Sequence, residues 1–131
     1  MKYLFDASAI IKAIKENKID LLKGNSTLEI ARYELGNIVW KDYLLQGKIS
    51  KKEARALMNA VKHALDAMEV HQIVSKEEEI LETSEQFGVT FYDASYAYFA
   101  KLKTSILVTE DQRLTKKIAP NIKTLTLDEI C

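Results

Sequence analysis

The sequence predicts an α/β domain of three layers, α/β/α, around a mostly parallel central sheet. Short apolar runs of strand length alternate along the chain with segments whose apolar residues recur at helical spacing. Such alternation joins parallel strands through crossover helices. The chain has 131 residues, 47% of them hydrophobic and only one of them Pro. That is enough for one cored domain, expected to span residues 1–131, and too little for two.

Tyr3-Leu4-Phe5 reads as a short buried strand over residues 2–5. Asp6 follows and can cap a helix carrying Ala9, Ile10, Ala13 and Ile14. An amphipathic segment at 19–22 stops at Gly24-Asn25, and Thr27-Leu28-Glu29 is a brief strand. A long helix is expected over 30–46, with Ala31, Leu35, Ile38, Val39 and Leu45 inward and Gly47 past its end. Trp40, Tyr43 and Leu44 widen its apolar face, which suits core packing or contact with a second copy or a partner helix. Ser50 and Glu53 form a capping box for the next helix, whose Ala54, Leu57, Met58, Val61, Ala64, Leu65 and Met68 share one face. The tight turn between these helices makes them antiparallel. Residues 70–74 form a strand. Ser75 and Glu78 repeat the capping-box pattern before a helix with Ile80, Leu81, Ser84 and Phe87 on one face and Gly88 at its end. A helix over 93–102, a strand over 105–109, a short helix over 112–118 and a strand over 123–127 complete the chain.

Lys and Arg number 19, as do Asp and Glu, so the net charge is zero. Nucleic-acid binding would therefore come from local asymmetry, not bulk charge. Cys131 is the single cysteine, which rules out an intrachain disulfide and a zinc–thiolate site. This fits a reducing cytoplasm, the expected location. The apolar start is broken by Asp6, Lys12 and Lys15, so it does not read as a signal peptide. No run approaches the roughly 20 apolar residues of a membrane span. His63 is expected on the surface and His71 in a structural role.

Four carboxylates stand out. Asp6 and Asp111 follow apolar strands, and in parallel sheets ligands gather beyond the carboxyl ends of strands. Asp93 opens a helix after a turn and shares a stripe with Tyr96, Ala97 and Ala100. Each of these three acids is also placed to cap a helix. Glu34 has Ile30, Ala31, Asn37 and Ile38 as its helical neighbours, three of them apolar, so it lies at the edge of the core. Buried unpaired, it would cost several kcal/mol or become neutral; a salt bridge is the plain alternative. Glu110 competes with Asp111 on chemistry alone. Carboxylates gathered in one place repel, and a divalent ion relieves the repulsion. Oxygen ligands without thiolate suit Mg²⁺ or Mn²⁺. Among the basic residues, Arg113 and Lys116 follow Asp111 most closely and are the candidates for an RNA phosphate contact. Of Tyr92, Tyr96 and Tyr98, one could stack on a base if it is not core.

The chain resembles the PIN-domain ribonuclease family, which includes the VapC-type toxins of toxin–antitoxin operons. The resemblance rests on Asp6-Ala7-Ser8 after the opening strand, Glu34-Leu35-Gly36-Asn37 on a helix, Tyr92-Asp93-Ala94 opening a later helix, and Thr109-Glu110-Asp111 after a strand. Each motif is short; the four in order cover nearly the whole chain. The resemblance implies a PIN-like domain with Asp6, Glu34, Asp93 and Asp111 as catalytic, metal-binding acids, and Asp111 in preference to Glu110. It implies Ser8, Asn37 and Thr109 as supporting polar groups. It further implies a Mg²⁺- or Mn²⁺-dependent endoribonuclease leaving a 5′-phosphate and a 3′-hydroxyl, a homodimer, and a small antitoxin partner.

Two other classes are open to the same residues. A response-regulator receiver also binds Mg²⁺ through acids, but needs a phospho-accepting Asp at its third strand and a Lys where Thr109-Glu110-Asp111 stands. A non-catalytic binding module would use the acids only as caps and salt-bridge partners.

Overall fold

In the computed structural model, which describes residues 2–130, five strands form one sheet. They are β1 (Tyr3–Phe5), β2 (Ser26–Leu28), β3 (Glu69–His71), β4 (Ile106–Val108) and β5 (Thr124–Leu125). Their order is β3-β2-β1-β4-β5, and every neighbouring pair is parallel. Six α-helices accompany them: α1 (Ala7–Lys15), α2 (Ile30–Trp40), α3 (Lys51–Asp66), α4 (Glu77–Phe87), α5 (Phe91–Leu102) and α6 (Gln112–Ile118).

Strand alternation sorts the core into two halves. Leu4 pairs with Leu107 and Phe5 with Val108. Leu4 and Leu107 point to a cluster with Ile80 of α4, Tyr96 and Phe99 of α5, and Ile118 of α6. Phe5 and Val108 point to the opposite cluster, with Ile10 of α1 and Val61 and Leu65 of α3. Both faces of the sheet are covered, as an all-parallel sheet requires. Each fully buried side chain of this kind contributes about 1.5–3 kcal/mol. The α/β/α layering expected from the sequence is what forms.

The topology creates the crevice. From β1 the chain crosses to β2 on one side, while β4 lies on the other side of β1. The order therefore reverses between β1 and β4, and the loops leaving their carboxyl ends diverge. Asp6 leaves β1 there, its N–H donating to Val108 O at 3.1 Å.

Several local expectations are corrected. The helix expected over 30–46 is α-helical only to Trp40; residues 41–45 form a wider π turn, closed by Gln46 N–H to Lys41 O at 2.8 Å. The extra residue in that turn rotates the end of the helix, so Leu45, expected inward, is exposed. Met58 and Leu81, assigned to apolar faces, are also exposed. The second capping box does not form. Ser75 has φ 70°, and α4 starts from Lys76 with no side-chain cap. Glu77, Glu78 and Glu79 in its first turn face the helix dipole favourably instead. Thr90, not Asp93, caps α5; its hydroxyl accepts from Asp93 N–H at 3.1 Å. The third and fifth strands are shorter than expected. No helix among the described residues is long and apolar enough to cross a membrane.

Candidate active site

Asp6 is held from three directions. It caps α1, its Oδ1 accepting from Ala9 N–H at 3.0 Å and from Ser8 Oγ at 2.6 Å. Its Oδ2 accepts from the hydroxyl of Thr109. Thr109 Oγ1 also accepts from Asp111 N–H at 3.1 Å, so one buried hydroxyl joins the loop after β1 to the loop after β4. Asp111 caps α6, accepting from Arg113 and Leu114 N–H at 3.0 and 3.1 Å through Oδ1 alone. Its Oδ2 is left for other work. Glu34 projects from α2 and accepts from the Tyr96 hydroxyl at 2.6 Å. Asp93 lies in the first turn of α5.

These elements bring all four acids to one cavity of about 310 Å³, which Ser8, Asn37 and Tyr96 also line. Thr109 does not line it; it acts through Asp6 and Asp111. Glu110 is elsewhere, bound to Lys12 at 3.1 Å and accepting from Leu127 N–H at 2.7 Å. Of Glu110 and Asp111, alike in chemistry, only Asp111 lines the cavity. Among the described residues no three Asp, Glu, His or Cys side chains form a ready-made metal cage. The carboxylates ring the cavity instead of closing on a point.

Charge is concentrated there. Among the described residues none of the four acids is in a salt bridge. Burial raises the Asp6 carboxyl above its ordinary range, against the hydrogen bonds from Ser8, Thr109 and Ala9, and the charge of Asp93 raises it further. Burial likewise raises Glu34, opposed by Tyr96 and reinforced by Asp6 and Asp93. Asp93 is raised by burial and then by Asp111, while Thr90 and the Lys117 ammonium pull it down. Tyr96 is raised, by burial first and then by Glu34, so it remains a neutral donor. The donor set is hard oxygen without thiolate or imidazole, and its mutual repulsion favours a divalent cation. The residues therefore fit Mg²⁺ or Mn²⁺.

A neighbouring cavity of about 250 Å³ shares Asp93 and Asp111 and is lined by Arg113 and Lys117. Lys116, expected beside Arg113, does not line it. Arg113 and Lys117, four apart on α6, both line it.

No family model matches the chain. Individual proteins do. The chain is 33% identical over 129 residues to the exonuclease VapC9 of Pyrobaculum aerophilum, covering 97% of this chain and 93% of that protein. The chain belongs to the VapC family of PIN-domain proteins. The ribonuclease VapC3 of the same organism is 28% identical over 125 residues, covering 89% and 95% of the two chains. The crystal structure of PAE2754 from Pyrobaculum aerophilum superposes with a TM-score of 0.83 at 30% identity, covering 99% of this chain and 93% of that one. VapBC2 from Rickettsia felis, crystallised with a DNA fragment from its promoter, gives a TM-score of 0.66 at 23% identity, covering 96% and 98%. A toxin–antitoxin complex from Klebsiella pneumoniae gives 0.68 at 19%, with the same coverage. At these identities the last two speak for the VapC fold.

The sequence reading of this VapC chain missed two side chains. Tyr96 was read as core or a stacking ring; it is buried, but its hydroxyl reaches Glu34. Its signal was the three-residue step from Asp93 along one helix face. Lys117 is the second; it and Lys116 both lie within one turn of Arg113, so only the cavity lining separates them.

Proposed function

We propose that this chain is a Mg²⁺- or Mn²⁺-dependent endoribonuclease and the toxin of a type II toxin–antitoxin pair. The observation that carries the reading is the set of four carboxylates lining one cavity with no salt-bridge partner among them. Family membership supports nuclease activity, and the names of VapC9 and VapC3 differ over its kind. Cleavage within a strand is the reading we take, because a recess that shares Asp93 and Asp111 with the acid cavity leaves room for RNA beyond the bond being cut.

Asp6, Glu34, Asp93 and Asp111 would hold the metal. When bound, the ion supplies Lewis-acid polarisation of the phosphodiester and acidifies water. The chain's own groups do the positioning. Ser8 and Thr109 fix both oxygens of Asp6. Tyr96 fixes Glu34. Asn37 offers a neutral amide at the cavity wall. Arg113 and Lys117 offer charge to a phosphate adjoining the one being cut. The products in this reading carry a 5′-phosphate and a 3′-hydroxyl.

Partners belong to the same proposal. An apolar groove of about 550 Å³ between α2 and α3 carries Trp40, Leu44 and Met58, all exposed, with Lys51, Arg55 and Lys62 at its edge. We assign it to a protein partner, the antitoxin, and include a homodimer and a cytoplasmic location in the reading.

Single-stranded RNA incubated with the protein should be cut with Mg²⁺ or Mn²⁺ and not with EDTA. Asp93→Asn should lower the rate at least about a hundredfold with an unchanged circular dichroism spectrum. Cutting that survives EDTA, or full activity in Asp93→Asn, would sink the proposal.

A further inference from the structure

We propose that the pocket flanked by Tyr33 and Tyr92 seats one base of the RNA strand, beside the phosphodiester held over the acid cavity. The inference rests on the ribonuclease reading and names the substrate contact which that reading leaves open. The pocket occupies about 290 Å³ between α2, α5 and the residues that follow β3. Its floor is Ile30, Ile73 and Phe91, all partly buried. At its lips Tyr33 is 72% exposed and Tyr92 58% exposed, and neither ring stacks on another aromatic ring among the described residues. Two large rings left in water at one pocket gain little for folding.

Position ties the pocket to the acids. Tyr33 precedes Glu34 and Tyr92 precedes Asp93 in the chain. Successive helical residues point about 100° apart. The same two helices therefore turn their acids to one cavity and their tyrosines to the next. Ile30 lines the pocket and Glu34 lines the acid cavity, four residues or about 6 Å further along the helix. The Tyr96–Glu34 bond spans the seam between these helices. A nucleotide adjoining the phosphate over the acids reaches the pocket.

Chemistry selects the occupant. The lining holds no Lys or Arg; burial lowers the pKa of its one imidazole, His71, and Glu29 at its edge occupies Arg32 at 2.9 Å, so it offers little to a phosphate. An uncharged planar group fits: ring faces stack on Tyr33 or Tyr92, and stacking accepts any base. Gln72, whose side chain makes no hydrogen bond among the described residues, presents a donor and an acceptor to a base edge. An apolar side chain of a protein partner is the competing occupant, and it has no need of the adjoining acids.

The test separates the base pocket from catalysis. Fluorescence anisotropy would follow a labelled oligoadenylate binding to Asp6→Asn protein in Mg²⁺, with and without a second change, Tyr92→Ala, Tyr33→Ala or Tyr92→Phe. An oligomer of equal length lacking its bases is the control. The alanine changes should weaken oligoadenylate binding about fivefold to about a hundredfold and leave the baseless oligomer unaffected. Tyr92→Phe should bind like the parent. In the cutting-competent protein, end-sequencing of cleaved random RNA should show base preference flattened at one position beside the cut in Tyr92→Ala. Equal binding of both oligomers by the parent, or unchanged binding in both alanine variants, overturns the pocket. An absence of cutting by the unmutated protein would count against the ribonuclease reading, and the binding arm still decides the pocket.

Discussion

The Tyr96 hydroxyl donates a 2.6 Å hydrogen bond to Glu34 Oε1, tying α5 to α2 at the acid cavity. The ring is almost wholly buried, so the hydroxyl has no freedom to leave. Glu34 is thereby held toward Asp6 and Asp93, whose charges it feels. Tyr96→Phe removes this tether together with the hydroxyl's bond to the Ala7 backbone. We expect activity to fall about 10- to 100-fold, as when the outer partner of a metal ligand is lost. Stability should fall by about 1 kcal/mol. Full activity with an unchanged midpoint in a Mn²⁺ titration would refute the tether.

Thr109 couples the two strand-end acids, donating to Asp6 Oδ2 and accepting from Asp111 N–H. Thr109→Val keeps the shape and deletes both bonds, together with the hydroxyl's 3.4 Å contact to Ser8 Oγ. It leaves a buried carboxylate oxygen short of a donor, at a cost of about 1–3 kcal/mol. Denaturant unfolding would measure it. A variant as stable as the parent would show that water replaces the hydroxyl.

The acids work against the metal-free fold. Asp6, Glu34 and Asp93 all have raised pKa values, with burial as the first cause. A raised carboxyl binds its proton more tightly folded than unfolded. Its stabilising contribution is therefore complete below the ordinary values of 3.8 for Asp and 4.5 for Glu, and is lost as pH rises through the folded value. Asp93→Asn should thus raise Tm in EDTA, by more at pH 7 than at pH 4. About 1 kcal/mol moves Tm by roughly 3–5 °C in a domain of this size. Mn²⁺ at about 100 times its Kd should add about 2.7 kcal/mol to the parent and less to the variant. A variant that melts below the parent at neutral pH would contradict this account.

Arg113 and Lys117 face a cavity that shares Asp93 and Asp111. If each holds a phosphate, replacing either by Ala should weaken single-stranded RNA binding and reduce the salt slope of log K by about 0.7. Lys116→Ala serves as the control and should change neither. Equal slopes in all three variants would place the strand elsewhere.

α1, α3 and α6 were legible because a cap, a helical stripe or both lie within a few residues of one another. The bounds of α6 match the expected 112–118. Ser75–Glu78 has the letters of a capping box, yet Ser75 sits in the left-handed region where it cannot serve as one. The π turn at 41–45 was hidden because its apolar residues also satisfy an α-helical stripe. Asp6, Glu34, Asp93 and Asp111 were singled out by carboxylates set against apolar neighbours. Glu110 and Asp111 are adjacent and alike, and only the loop after β4 separates one toward Lys12 from the other toward the cavity.

The sequence by itself determined the alternation of strands and helices, the acids and their order, because periodicity, capping and composition act over a few residues. Tertiary structure alone decided that acids from four distant segments line one cavity. It alone decided that Tyr96 tethers Glu34 and that Lys117, not Lys116, lines the cavity beside Asp93 and Asp111. Those relations depend on the strand order reversing between β1 and β4 and on how α2 meets α5. Contacts between residues far apart in the chain are set by packing, and no local pattern encodes them.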